Sequence, residues 1–411
     1  MGLPKEILDA RWIKGGDRGT LIEYYDEEKR RRIIDPEMNP YFFIKEFDLG
    51  RARKYIRSRR GRVVKGSFID IWGNRCVKIE MPTPDSVKRL RDKLEALGIR
   101  TYESDIPFVR RWMIDKYILQ CSMNWRLYFD IEVEAVHGFP DPRDAYNRII
   151  SIACVGSDGK EYFFSDEDER KMMDEFFSLL KRRYHLMTGW NIHRFDLPYL
   201  ERRCKRLKYD PGFVPIQDLD AMQNYKRFQA WGSLGVSLKL EHIAEKHLGM
   251  TKKELESKIG MELLWQSFKT DKKLLYEYNM RDARLVKMLD EKLKLCDMYV
   301  QIARIIPIFV RETPFMNQII DTLVLLKAQQ MEPRIVFPRK RSHQAKLYGG
   351  LVLTPKPGVF RNVLVLDFKS LFNRIIRAWK ISPELIHLFL DYKLSREDFE
   401  TWWKKKMLLS S

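Results

Sequence analysis

The sequence predicts an α/β protein of more than one domain. Three observations lead there: a length of 411 residues, an ordered run of strand-like and helix-like segments between Leu127 and Lys208, and acidic residues placed at the junctions of those segments. A chain of this length exceeds one ordinary core, so two to three domains are expected. LYFDIEVE, beginning at Leu127, reads as a strand, RIISIACVG (148–156) as a second, and EYFF (161–164), after a Ser-Asp-Gly turn, as a third. Ser165, with Asp168 three residues on as in a capping box, predicts a helix from Asp166 to about Tyr184. HLMTGW reads as a short strand, and Pro198 falls early in a following helix, where its missing N–H costs little. Three strands, a helix, a strand and a helix is the order of an RNase H-like core.

The flanks are less regular. Val63 to Ile79 alternates as strands do, around a Gly-Asn turn at 73 and 74, and Pro84 to Leu97 reads as an amphipathic helix stopped by Gly98. Ser237 is placed to cap a helix that ends at Gly249, Asp271 to about Leu295 reads as a long helix, and helical sequence runs on after Pro307 to about Gln330. NVLVLDF (362–368) is strand-like.

Composition narrows the partner. Hydrophobic residues make up 45% of the chain, ample for packed cores. No stretch approaches the roughly 18 apolar residues of a membrane span. The polar start, MGLPKEILDARWIKGG, has no apolar signal core, so a soluble, cytoplasmic, nucleoid-associated protein is expected. The five cysteines are scattered without metal-ligand spacing, which reads as free intracellular thiols. A net charge of +19 with a pI near 9.5 points to a polyanion. The cations cluster at Arg51–Arg62, Lys181–Arg183, Arg202–Lys208 and Arg339–Lys346. A thermophile's charged surface is the alternative, but that composition need not leave so large an imbalance.

Four acids carry the chemistry. On a strand, Asp130 and Glu132 point to one face, while Leu127, Phe129, Ile131 and Val133 point to the other. Two adjacent carboxylates repel and call for a cation. Alone, the pair reads equally as an exposed strand. Asp196, in NIHRFD at a strand-to-helix junction, reads alone as a helix N-cap. Tyr278 and Asp282, at i and i+4 of a helix, read alone as a half-buried Tyr beside a solvated Asp.

Together they resemble something specific. YFDIEVE, GWNIHRFDLPYL and YNMRDARLV are similar, in order and context, to the three motifs of the proofreading exonuclease of family-B DNA polymerases. The resemblance implies a metal-dependent 3′→5′ exonuclease for DNA, acting on single-stranded 3′ ends and primer-templates, with two divalent cations, Mg²⁺ or Mn²⁺, about 4 Å apart. Hard carboxylate ligands suit such ions. Asp130 is implied to bridge both ions, Glu132 and Asp282 to complete the first site, and Asp196 to support the second. Tyr278 is implied to orient the attacking water, and Asn191 and Phe195 to support the strand end.

The resemblance extends to both flanks. NPYFFIKE (39–46) and YESDIPFVRRWMIDK (102–116) look like the amino-terminal domain of archaeal family-B polymerases, which holds a template-uracil pocket. The matching positions are Pro40, Tyr41, Phe42, Val87 and Arg91, with Trp12 where the family has Tyr; packing in a core is the alternative role. KLYGG (346–350) is similar to the Y-G-G link between exonuclease and polymerase halves, and TPKPGVFRNVLVLDFKSLFNRII to the lead-in of polymerase motif A. There Asp367 matches the metal-binding Asp and Phe372 the Tyr that excludes ribonucleotides, while Asn373 and Arg374 depart from the usual Pro and Ser.

The implied architecture is α/β: an RNase H-like exonuclease core with a mixed α+β amino-terminal domain and the start of a polymerase palm. Its boundaries are 1–121 for the amino-terminal template-binding domain, 122–300 for the exonuclease, 301–346 for a helical connection, and 347–411 for an incomplete palm. The later fingers and palm motifs do not occur, so Asp367 has no second palm carboxylate and polymerisation by this chain alone is not expected. A split or truncated polymerase, with a second polypeptide carrying fingers, palm and thumb, is the leading expectation. A catalytically inactive DNA-binding or partner-binding relic is the alternative, and a stand-alone exonuclease for repair or RNA is a third reading.

Overall fold

A computed structural model describes residues 3–15, 19–135, 140–229, 237–250, 266, 268–339 and 357–378. The chain divides into two compact units. One comprises Met1–Asn39 and Pro107–Lys327, the other Pro40–Ile106 and Ala328–Ser411.

The first unit is built on a five-stranded sheet in the order Glu161–Phe164, Ile149–Gly156, Arg126–Val133, Leu186–Gly189, Gln217–Asp220. The first three strands are antiparallel and the last two join in parallel. Arg126–Val133 is central, and its alternation decides which side chain goes where. Leu127, Phe129, Ile131 and Val133 enter a core with Met172, Phe176 and Leu180 of the helix Glu169–Arg182 and with Tyr199 and Leu200 of the helix Asp196–Arg206. On the opposite face Tyr128 packs with Leu285, Val286 and Leu289 of the long helix Lys272–Leu293, and with Ile243 of the helix Leu240–Leu248. Asp130 and Glu132 share that second face. The three-strand, helix, strand, helix order is thus present; the fifth strand, Gln217–Asp220, was not anticipated, because QDLD shows no apolar alternation.

The same unit holds a three-stranded antiparallel sheet of Asp9–Lys14, Thr20–Tyr25 and Arg31–Ile34. It packs with Phe108, Trp112 and Met113 of the helix Phe108–Lys116. The second unit has a four-stranded sheet, Arg62–Val64, Cys76–Glu80, Tyr41–Lys45 and Thr101–Tyr102. The helices Leu49–Arg57 and Pro84–Ala96 bury Ala52, Ile56, Leu90 and Leu94 against Phe42, Ile44, Val77 and Ile79 of that sheet. Asp70 closes the turn at Gly73 (φ 83°) by accepting from the backbone N–H groups of Trp72 and Asn74.

Four local expectations need correction. The helix expected from Asp166 begins at Glu169, and Asp168 is its cap, accepting from Arg170 N at 3.0 Å and Lys171 N at 3.5 Å. Ser165 is still tied to the sheet, donating to Ile150 O at 2.9 Å. The helix expected to be capped by Ser237 begins at Leu240, and the Ser237 hydroxyl instead accepts from Lys239 N at 3.4 Å, ahead of the helix. After Pro307 the chain runs first through a short 3₁₀ turn, Val310–Glu312, because Ile308 and Val310 are drawn into the core with Tyr299 and Val300; the helix Met316–Gln329 follows. The segment 362–368 has no ladder partner among the described residues and is not a strand; Val363, Val365 and Leu366 are exposed there. KLYGG at 346–350 lies outside the described residues.

The cap assignment is testable. Asp168→Ala should lower stability by about 1 kcal/mol, read as a shift in urea midpoint, and Ser165→Ala by less. The reverse order would restore Ser165 as the cap.

Candidate metal-binding acidic centre

The site gathers where the central strand, the junction after Leu186–Gly189 and the long helix meet. Gly189 permits the junction: a Cβ there would lie 2.5 Å from the Phe129 carbonyl oxygen and 2.5 Å from Ile192. The chain then turns through Asn191, whose φ of 68° is left-handed. Asp220, at the end of the fifth strand, pins the turn by accepting from Asn191 N and His193 N, each at 3.2 Å. Asp218, two residues earlier, holds the His193 ring at 2.7 Å. Asp196 opens the next helix and accepts from Ile131 N at 3.3 Å, so it sits against the central strand between Asp130 and Glu132. It does not cap the helix through its side chain; that expected alternative is replaced by a tie to the sheet.

The long helix supplies the other wall. Asn279 is fully buried, donates to Asp130 Oδ2 at 2.7 Å, and accepts from Ser151 Oγ at 2.9 Å. Asp282 is met by Arg281 at 3.3 Å, whose guanidinium also lies 5.2 Å over the Tyr278 ring. Asn279, Arg281 and Asp220 were missed in the sequence. The first two stand inside YNMRD, and Asp220 inside the Asp-x-Asp of QDLD.

The electrostatics show the crowding. Asp130, Glu132 and Asp282 are half-buried and Asp196 is buried. Burial, followed by the charges of Asp196, Glu132 and Asp282, pushes Asp130 well above the ordinary carboxylate range. Burial and then Asp282 and Asp196 push Glu132 up to about 8. Burial, with Asp220 adding to it, takes Asp196 to about 7, and burial opposed by Arg281 takes Asp282 to about 6. Burial and the charges of Glu132 and Asp282 raise Tyr278, which stays a protonated donor. The four acids thus feel one another, although among the described residues no three metal-ligating side chains converge tightly enough to enclose an ion as placed. Asn279 and Arg281 instead each hold one carboxylate. The donor set fits hard divalent cations: oxygen ligands only, with excess negative charge held out of water.

The supporting residues are placed as follows. Phe195 stacks on Tyr199 at 5.5 Å between ring centroids and packs against the core. Asn191 Oδ1 is buried and has no hydrogen-bond partner. Trp12 lies in the first unit, at the margin of the Phe108–Trp112 cluster. The other five pocket candidates belong to the second unit. Phe42 is fully buried in its core with Val87 packed beside it, Tyr41 lies under Lys78 at 4.3 Å, Pro40 O accepts from Met81 N, and Arg91 donates to Ser104 O at 3.3 Å. Asp367 is exposed, and Phe372, 79% exposed, sits on the helix Leu371–Ala378.

Comparison with known proteins agrees with this geometry. Residues 127–294 match the RNase H superfamily and residues 316–398 match DNA polymerase family B. The chain is 25% identical over 426 residues to the DNA polymerase of Archaeoglobus fulgidus, covering 91% of this chain and 52% of that one. It is 28% identical over 322 residues to DNA polymerase 1 of Sulfolobus acidocaldarius, covering 64% of this chain and 35% of that one. The fold superposes on the family B DNA polymerase of Pyrobaculum calidifontis with a TM-score of 0.68, at 24% identity, over 92% of this chain and 57% of that one. Fold and site therefore define a protein built around an RNase H-superfamily domain. More particularly, the chain is a homologue of the archaeal family B DNA polymerases along about 92% of its length, with that domain followed by the start of the family B polymerase domain. It spans about half the length of the curated relatives it matches.

The raised acids make stability depend on pH. Their folded values lie above the ordinary 3.8 of Asp and 4.5 of Glu, so the folded state binds more protons than the unfolded state between about pH 4 and about 8. In EDTA, the thermal midpoint should therefore fall as pH rises from 5 to 8. Glu132→Gln should flatten that fall, and Mg²⁺ should recover the midpoint at pH 8. A midpoint that rises over this interval, with no response to Mg²⁺, contradicts the assignment.

Proposed function

We propose that this chain is a metal-dependent 3′→5′ exonuclease for DNA, the proofreading part of a family B polymerase. The observation that carries the reading is the gathering of Asp130, Glu132, Asp196 and Asp282 about the central strand, where the last three all disfavour charge on Asp130. Asp130 and Glu132, with Asp282 across from them, would hold one divalent ion, and Asp130 with Asp196 a second. When bound, such ions activate a water and offset charge on the leaving 3′-oxygen. The protein's own groups do the rest. Tyr278, kept protonated by burial and by its acidic neighbours, donates its hydroxyl hydrogen to orient the attacking water. Asn191 Oδ1, buried without a partner, accepts from a terminal 3′-hydroxyl. Phe195, braced by Tyr199, supports the strand end. Asn279 holds Asp130 in place by donating to its Oδ2.

A second reading concerns the segment 357–378. Phe360, Val363, Val365, Leu366 and Phe372 are between 64% and 84% exposed, more apolar surface than a short stretch normally leaves in water. It is completed by further polymerase-domain sequence on a second polypeptide, and Asp367 acts only in that complex.

The nuclease reading is tested with 3′-labelled single-stranded DNA. Mg²⁺ or Mn²⁺ should support release of mononucleotides, and Asp130→Ala should slow it by roughly three orders of magnitude. Metal-independent release, or release that Asp130→Ala leaves intact, sinks it. Steeply salt-dependent DNA binding without turnover would instead identify an inactive relic. For the second reading, a polypeptide bearing the remaining family B motifs should form a complex that extends primers. Extension unaffected by Asp367→Ala would refute it.

A further inference from the structure

The second unit carries an arrangement that the nuclease centre does not use. The stretch Arg51 to Arg62 contains seven basic residues and no acid. Arg51 is paired with Asp48 and Arg62 with Glu80, and Arg59 donates to Tyr55 O. Arg53, Lys54, Arg57 and Arg60 are exposed, and no side-chain hydrogen bond or ion pair engages them among the described residues. Lys93, exposed on the helix Pro84–Ala96, adds to the same surface. Its ammonium lies 5.6 Å from the centroid of the Tyr55 ring, and that of Lys54 lies 4.9 Å from it. One ring thus gathers cations from two helices, against their mutual repulsion. Immediately before the helix Leu49–Arg57 stands Phe47, 90% exposed. A phenyl ring so fully hydrated at the start of this basic helix is a second observation, independent of the charge.

We infer that this surface binds single-stranded DNA, with Phe47 stacking on a base and Lys54, Arg57 and Lys93 neutralising the backbone phosphates that flank it. Duplex DNA has its bases stacked internally and offers none to Phe47, whereas a single strand exposes base faces and phosphates together. An anionic membrane is disfavoured, because the apolar side of the helix, Ala52 and Ile56, is buried in the unit's own core and leaves no apolar stripe for lipid. The binding surface lies on a different unit from the four carboxylates, so it holds strand, not the reacting bond.

The test uses the full chain in EDTA and a fluorescein-labelled oligo(dT) followed by anisotropy across a salt series. Phe47→Ala should weaken binding about tenfold. The triple variant Lys54→Gln, Arg57→Gln, Lys93→Gln should reduce the log–log salt slope by about 2, at roughly 0.7 per phosphate contact on a single strand. Replacing Lys54 and Lys93 by Arg should preserve the slope. Nucleotide release from a saturating short substrate should be unchanged in all variants, which separates this surface from the nuclease centre. Unchanged affinity and slope overturn the inference. So does a silent Phe47→Ala beside a weakened triple variant, a loss confined to duplex DNA, or a loss seen only with anionic phosphatidylserine vesicles.

Discussion

The constraint on which the first unit turns is the removal of four carboxylates from water at one place. Each would ionise freely at neutral pH in solvent. Here burial, with acidic neighbours adding to it, holds all four above their ordinary values, Glu132 to about 8 and Asp196 to about 7. A fold that only needed stability would not accumulate such terms, because uncompensated buried charge is costly. The arrangement makes physical sense as one side of a binding equilibrium in which positive charge arrives from outside. The surrounding apolar core is what makes the cost tolerable. Phe129, Ile131 and Val133 anchor the opposite face of the same strand, so Asp130 and Glu132 keep their place as long as that core holds.

Much of the remaining local structure serves to hold those acids where they are disfavoured. Gly189 lets one strand end approach the Phe129 carbonyl closely enough for the chain to turn across it. Asp220 fixes that turn through two backbone N–H groups, and the turn delivers Asp196 to Ile131 N. Ser151 orients Asn279, and Asn279 orients Asp130. Asp130 and Asp196 are therefore each positioned by a group on a different element, while Asp282 is met by Arg281 of its own helix.

The strand alternation from Leu127 to Val133 made the central strand and the shared face of Asp130 and Glu132 legible from residues alone, because a period of two admits one assignment once one face is buried. The long helix with Tyr278 and Asp282 was legible for the same kind of reason. Less visible were features that depend on contacts between distant segments. Asn279 looks like any polar helix residue until Ser151 and Asp130 are seen on either side of it. Gln217–Asp220 becomes a strand because Leu186–Gly189 pairs with it, and nothing in QDLD announces that partner. The cap falls on Asp168, next to the helix start at Glu169, while Ser165 stands three residues earlier and donates to Ile150 O of the sheet. The strand-like pattern at 362–368 shows the converse: β propensity expresses burial and pairing as much as backbone preference, and without a partner among the described residues the apolar alternation forms no ladder there.

The acidic centre and the polymerase-like segment stand on separate foundations. Every acid of the centre lies between residues 127 and 294, in a unit with its own sheet and core, where Asp130, Asp196 and Asp282 are each bonded to a neighbour. Asp367 belongs to the other unit, in a segment whose apolar residues face water. A metal site needs several ligands held at once, so a single exposed carboxylate gains little from its position, whereas four enclosed ones gain a great deal. The hydrolytic reading therefore depends on no assumption about synthesis: packing confined to the first unit already gathers the partly desolvated carboxylates that divalent ions would need.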